Sequence, residues 1–127
     1  MNSNRKPKEK VSFAAERILQ DNILFKELVE ILLSGSEVEK GNCADIMKHV
    51  TMEKAEIAEP YLETIIEFIN YKAPRVKWGV PESIGNIAKM NPQKVEKAIP
   101  YLVKNTVPNK ENSTVIRWCS AYALAEI

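Results

Sequence analysis

An internal repeat of 40 residues is the feature of this sequence that most constrains its fold. Residues 54–62, KAEIAEPYL, align with residues 94–102, KVEKAIPYL, and six of the nine positions are identical. The same offset places the Lys-Trp pair at 77–78 over the Arg-Trp pair at 117–118. Similarity in two separate segments at one offset indicates a repeated structural unit, and a period near 40 residues is typical of stacked helical pairs.

The spacing of apolar residues predicts helices throughout, because no sustained period-two alternation is present. Local signals set the boundaries: Asp21 can cap a helix, Gly35 can end it, and Ser36 with Glu39 has the spacing of a capping box. Seven helical regions are predicted: 11–20, the segment between Asp21 and Gly35, 36–50, 53–70, 74–90, the region from Pro92 to the loop 105–114, and 115–127. The repeat and the helices together predict an all-α superhelix, an α-solenoid.

The fifth region carries Pro81 in its interior. Proline removes a backbone donor there and costs an isolated helix about 3 kcal/mol, so we expect flanking helices to hold the segment. Gly79 and Gly85 are predicted to allow close helix approach.

Residues 60–89, PYLETIIEFINYKAPRVKWGVPESIGNIAK, resemble one HEAT repeat, and residues 100–127 resemble the next. Residues 38–50, VEKGNCADIMKHV, resemble the second helix of an earlier unit more weakly. The resemblance implies about three repeats in one domain, residues 11–127. The polar and charged composition of residues 1–10 predicts a flexible basic tail. The aspartate common in the turn between HEAT helices is missing from NYKAP, which argues against a stacked aspartate–basic ladder.

Composition excludes several classes of function. The net charge of +1 provides no global field for nucleic acid or membrane, and no apolar run is long enough to span a membrane. No apolar segment typical of a signal peptide follows the basic N-terminus, so we expect a cytoplasmic protein. Cys43 and Cys119 are predicted to be buried free thiols.

Catalytic chemistry has little support in the sequence. His49 is the only histidine, no cluster has metal-ligand spacing, and no phosphate-binding loop is present. We therefore predict no enzyme activity, no catalytic residue, no metal and no cofactor.

The tryptophans suggest a binding surface. In HEAT proteins the second helices line the concave face, and the resemblance implies a row of aromatic and charged residues there. This row comprises Arg75, Lys77, Trp78, Glu82, Arg117, Trp118 and Tyr122. Aromatic and arginine side chains anchor many interfaces, so the prediction is a non-catalytic module that binds a protein partner. Alternatively, the tryptophans fill seams between repeats.

The alternative function is nucleic-acid binding. Certain DNA glycosylases that remove alkylated purines are built of HEAT-like repeats, with tryptophans and a carboxylate on the concave face. Trp78 and Glu82, one turn apart, resemble part of that arrangement.

The last predicted helix, VIRWCSAYALAEI, is apolar on nearly all sides. A terminal solenoid helix normally has a polar outer face. We therefore expect either a truncated chain or a homo-oligomer formed through this helix.

Overall fold

The computed structural model describes residues 7–108 and 112–127, and all regular structure in these two ranges is helical. Seven α-helices occur there: α1 Pro7–Gln20, α2 Leu24–Ser34, α3 Glu37–Lys54, α4 Leu62–Glu67, α5 Pro74–Ala88, α6 Ile99–Thr106 and α7 Thr114–Glu126. The predicted all-α class is therefore confirmed. The first helix begins at Pro7, so part of the predicted tail belongs to α1, and residues 1–6 lie outside the described residues.

Two of the three predicted boundary signals between α1 and α3 act as expected. Gly35 ends α2, and its N–H donates to the carbonyl oxygen of Ile31 at 2.7 Å. Ser36 Oγ accepts from the N–H of Glu39, and the Glu39 carboxylate accepts from the N–H of Ser36, which is a complete capping box. Asp21 differs from the prediction. Its carboxylate accepts from the N–H of Ile23 in the turn before α2 rather than from a residue inside the helix.

The repeated segments are less regular than predicted. Residues 53–70 were expected to form one helical region, but α3 continues to Lys54 and α4 has only six residues. Short 3₁₀ segments, Ala55–Ile57, Glu59–Tyr61 and Phe68–Asn70, fill the rest. In the second copy, a 3₁₀ segment, Pro92–Ala98, precedes α6. Pro60 and Pro100 fall at the same place in the two copies, where a missing N–H suits a helix start rather than its interior.

The odd-numbered helices pack in chain order: α1 against α3, α3 against α5, and α5 against α7. The even-numbered helices pack beside them, with α2 against α3, α4 against α5, and α6 against α7. The apolar faces meet between these two sets, where Met47, Ile65, Val76, Ile84 and Leu102 are fully buried. Burial of these side chains is the main stabilising contribution to the fold.

Both predicted close approaches are confirmed. A Cβ atom on Gly79 would lie 2.6 Å from the carbonyl oxygen of Ala44, and one on Gly85 would lie 3.0 Å from Cα of Ala123. Glycine therefore lets α5 approach α3 on one side and α7 on the other. Between these positions, α5 continues through Pro81, which is buried.

Candidate functional site

A cleft of about 180 Å³ opens where α3, α5 and α7 meet. Helix α5 runs through its middle, and α3 and α7 form the two walls. The cleft is lined by Asp45, Lys48, Arg75, Trp78, Gly79, Glu82, Val115 and Cys119. It therefore brings together three of the residues predicted from the sequence: Arg75, Trp78 and Glu82.

Two cations and two carboxylates in the cleft are paired with one another. Arg75 Nη2 lies 3.7 Å from Asp45 Oδ2. Lys48 Nζ lies 3.4 Å from Asp45 Oδ1 and 3.8 Å from Glu82 Oε2. These four side chains have equal numbers of positive and negative charges, so the cleft is polar without a strong net potential.

Arg75 is also held by a neutral contact. Its Nη1 donates to Asn42 Oδ1 at 2.8 Å, which adds a hydrogen bond to the weak ion pair with Asp45. Its Cβ lies close to Gly41, where an added methyl group would come within 3.1 Å. The guanidinium is thereby fixed at one end of the cleft, beside Trp78.

Both tryptophans are exposed. Trp118 is 61% exposed, so its indole does not fill a seam between helices, whereas Trp78 is 36% exposed and lines the cleft between α3, α5 and α7. Trp118 stacks on Tyr122, with ring centroids 5.8 Å apart and an interplanar angle of 9°. Trp118 and Tyr122 lie one turn apart on α7, next to Val115 and Cys119 in the cleft wall.

Four of the seven predicted residues do not line the cleft: Lys77, Arg117, Trp118 and Tyr122. Arg117 is half-buried, and its Nε donates to the carbonyl oxygen of Thr106 at 3.0 Å, at the end of α6. This contact satisfies a carbonyl that the helix leaves unpaired, which is a structural role. Lys77 is half-buried on another face of α5.

Sequence reasoning missed Asp45 and Lys48 on α3 and Cys119 on α7. The two α3 residues are one turn apart and flank the buried Met47, a spacing that places them beside the core face. However, α3 matches the repeat only weakly, so the 40-residue offset did not reveal which α3 residues face Trp78.

The two cysteines are buried free thiols, as predicted. Burial, followed by the hydrogen bond and charge of Glu82, raises the pKa of Cys119 to about 12. Burial and the charge of Glu39 raise the pKa of Cys43 to about 11. Both groups are therefore protonated at neutral pH, whereas a nucleophilic cysteine requires the thiolate. Cys119 Sγ donates to Glu82 Oε1 at 3.3 Å, so in the cleft it acts as a weak hydrogen-bond donor.

Within the described ranges, no group of three or more histidine, cysteine, aspartate or glutamate side chains could hold a metal ion. In the same ranges, no helix has both the length and the apolar character needed to cross a membrane. Comparisons of the chain with protein-family models, with curated proteins and with solved structures returned no significant match.

Proposed function

We propose that the chain is a non-catalytic HEAT-like repeat module that binds a protein partner through the surface of α3, α5 and α7 around Trp78. In this proposal, the three repeats are α2 with α3, α4 with α5, and α6 with α7. The serial packing of α3, α5 and α7 supports a superhelix in which these second helices form the concave face. The two free thiols support a reducing compartment such as the cytoplasm.

One observation carries the proposal. Tryptophans at equivalent positions of two successive repeats, Trp78 and Trp118, are both exposed, although burial is the usual position of so large an apolar side chain. Trp78 also lies beside Arg75 in a cleft. Tryptophan and arginine are the residue types that most often contribute strongly to protein interfaces.

The charge of the cleft favours a protein over a nucleic acid. A phosphate near Arg75 or Lys48 would also approach the carboxylates of Asp45 and Glu82, which repel it. Nucleic-acid binding depends mainly on unpaired cations that contact phosphates, and the chain has a net charge of only +1. A protein partner can instead match a balanced set of charges around an aromatic anchor.

The experiment is affinity capture from the source cells with three forms of the chain: the parent, Trp78→Ala and Met52→Ala. Met52 is 61% exposed on α3 and does not line the cleft, so its substitution is a matched control. A protein that the parent and Met52→Ala retain, and that Trp78→Ala loses, is the expected result. Equal retention by all three forms would overturn the proposal.

The glycosylase-like alternative predicts a different result in a parallel assay. Duplex DNA would bind the parent with an affinity that falls steeply as salt rises, and Trp78→Ala would weaken that binding. We expect no measurable binding of DNA at physiological salt.

A further inference from the structure

Trp78 and Trp118 occupy the same position in two repeated segments and lie on the same side of two packed helices. Val115 lines the cleft beside Trp78, and Trp118 follows Val115 by one turn of α7. Trp78 has α3 on one side and α7 on the other, and it is still 36% exposed. A further helix packed on α7 in the same way would leave Trp118 equally accessible, so the accessibility of this pair does not depend on where the chain ends.

Contacts between α5 and α7 set the spacing of the two tryptophans. Hydrogen bonds from Cys119 to Glu82 and from Tyr122 to Asn86 join residues that are 37 and 36 apart in sequence, so the two helices run parallel. The tryptophans are 40 residues apart and are therefore displaced by the remaining three or four residues, about 5 Å along the helix axis. Closely packed helices lie about 8 Å apart, and Gly85 permits such an approach here. The two tryptophan positions are thus separated by about 9–10 Å.

We propose that Trp78 and Trp118 together bind a proline-rich segment of the protein partner in the polyproline II conformation. This inference rests on the proposed function and specifies the chemistry of the partner. Polyproline II has three residues per turn and a rise of about 3.1 Å per residue, so residues i and i+3 lie on one side about 9 Å apart. Prolines at this spacing place one ring on each indole. Alternate residues of a β-strand are only about 7 Å apart and do not match.

Hydrogen bonding distinguishes an extended segment from a partner helix. Neither indole N–H has a hydrogen-bond partner among the described residues. The tryptophan N–H can only donate, and a donor that becomes buried in an interface needs an acceptor. Carbonyl groups of polyproline II make no internal hydrogen bonds and can accept, whereas those inside a helix are already bonded. A proline-rich segment can therefore satisfy both indoles.

The charge of the cleft also suits proline. Two cations and two carboxylates there are paired with one another, so neither a cationic nor an anionic side chain of a partner gains a net attraction. A proline ring is uncharged, and its preformed backbone loses little conformational freedom on binding. Aromatic side chains that line a groove are the usual docking site of such segments.

The test measures binding of fluorescein-labelled decaproline to the parent, Trp78→Ala, Trp118→Ala and the control Met52→Ala by fluorescence anisotropy. Decaproline presents prolines at i and i+3 in every register, and a Gly-Ser peptide of the same length is the control ligand. We expect saturable binding to the parent and to Met52→Ala with a Kd below about 1 mM. Either tryptophan variant should bind at least about fivefold more weakly. Trp118 is 61% exposed, so its replacement should leave the fold intact.

A shorter peptide tests the two-point contact. The first and last residues of triproline are about 6 Å apart, too close to reach both indoles, so triproline should bind at least about fivefold more weakly than decaproline. Equal binding of the Gly-Ser peptide, equal binding of triproline, or an unchanged affinity in Trp118→Ala would overturn the inference. Partner capture that depends on Trp78, combined with no binding of decaproline, would overturn this inference and leave the proposed function standing.

Discussion

The hydroxyl group of Tyr122 on α7 donates a hydrogen bond of 2.8 Å to Oδ1 of Asn86 on α5. Asn86 Nδ2 donates in turn to Thr51 Oγ1 at 3.0 Å and to the carbonyl oxygen of Lys48 at 3.3 Å, both on α3. A buried amide thus connects the three helices that form the cleft. This polar network links α3 to α7 through the middle helix, α5.

Replacement of Asn86 by alanine is expected to lower the free energy of unfolding by about 2–3 kcal/mol, because it leaves buried polar groups without partners. Tyr122→Phe removes one hydrogen bond and should cost about 1 kcal/mol. Urea denaturation measures both. The double variant should lose less than the sum of the single effects, since the two residues share a bond. Asn70→Ala, at an exposed position, is the control and should change stability by less than about 0.5 kcal/mol.

Substitution by alanine should lower the free energy of unfolding at Gly79 on α5 but leave it nearly unchanged at Gly41 on α3. In Gly79→Ala the new methyl group would lie 2.6–2.7 Å from the backbone of Ala44 and 2.8 Å from its Cβ atom, and the packed helices must separate to relieve these contacts. We expect a loss of about 2 kcal/mol even after the gain of about 1 kcal/mol in helix propensity. Gly41→Ala meets only the side chain of Arg75, at 3.1 Å and beyond, and should be close to neutral. Equal stability of the two variants in thermal unfolding would show that α3 and α5 are not in close contact.

Two buried serines, Ser83 on α5 and Ser120 on α7, differ in whether the hydroxyl group has a hydrogen-bond partner. Ser83 Oγ donates to the carbonyl oxygen of Gly79 at 2.8 Å, whereas Ser120 Oγ is buried without a hydrogen-bond partner among the described residues. Ser120 stands where the repeat has Val80, a fully buried apolar side chain. Ser83→Ala should therefore cost about 1 kcal/mol, and Ser120→Ala should be neutral or stabilising by up to about 1 kcal/mol. A loss above 1 kcal/mol in Ser120→Ala would contradict this assignment.

The buried thiols make stability depend on pH in the alkaline range. Their pKa values in the folded chain, about 11 for Cys43 and about 12 for Cys119, lie above the ordinary thiol value of 9.0. Between pH 9.0 and the raised pKa of each thiol, the unfolded chain loses thiol protons and the folded chain keeps them. The free energy of unfolding therefore falls as pH rises above about 9. The slope reaches about 1.4 kcal/mol per pH unit for each thiol.

The measurement compares the parent with the Cys43→Ala, Cys119→Ala double variant in urea at pH 7, 9 and 10. The double variant is less stable at pH 7 because it loses packing, but its stability should fall less between pH 9 and pH 10. Parallel pH profiles would contradict the raised pKa values.

The sequence predicted helix boundaries best where capping signals are present, at Gly35 and at Ser36 with Glu39. The sequence also indicated both close approaches of α5, because Gly79 and Gly85 lack the Cβ atom that would keep a neighbouring helix away. It did not predict the short α4, since apolar spacing continues through Ala55–Tyr61 while Pro60 favours a fresh helix start. Helical periodicity reports which face is buried, whereas the choice between an α-helix and a 3₁₀ segment depends on tertiary packing.

For the site, the sequence predicted the residues of α5 and missed those of α3. Arg75, Trp78 and Glu82 follow from their spacing on one helix. The ion pairs of Arg75 with Asp45 and of Glu82 with Lys48 depend on how α3 is rotated about its own axis. The close approach of Ala44 on α3 to Gly79 on α5 sets that rotation. Arg117 occupied the basic position of the repeat, but its guanidinium reaches the end of α6 instead of the cleft.

The most direct test of the account is photo-crosslinking in cells with benzoylphenylalanine at position 78 and, separately, at position 52. The account predicts that position 78 yields one discrete adduct whose added mass is protease-sensitive and nuclease-resistant, and that position 52 does not yield it. A nuclease-sensitive adduct at position 78, the same adduct from both positions, or no adduct at position 78 would contradict a protein-binding surface around Trp78.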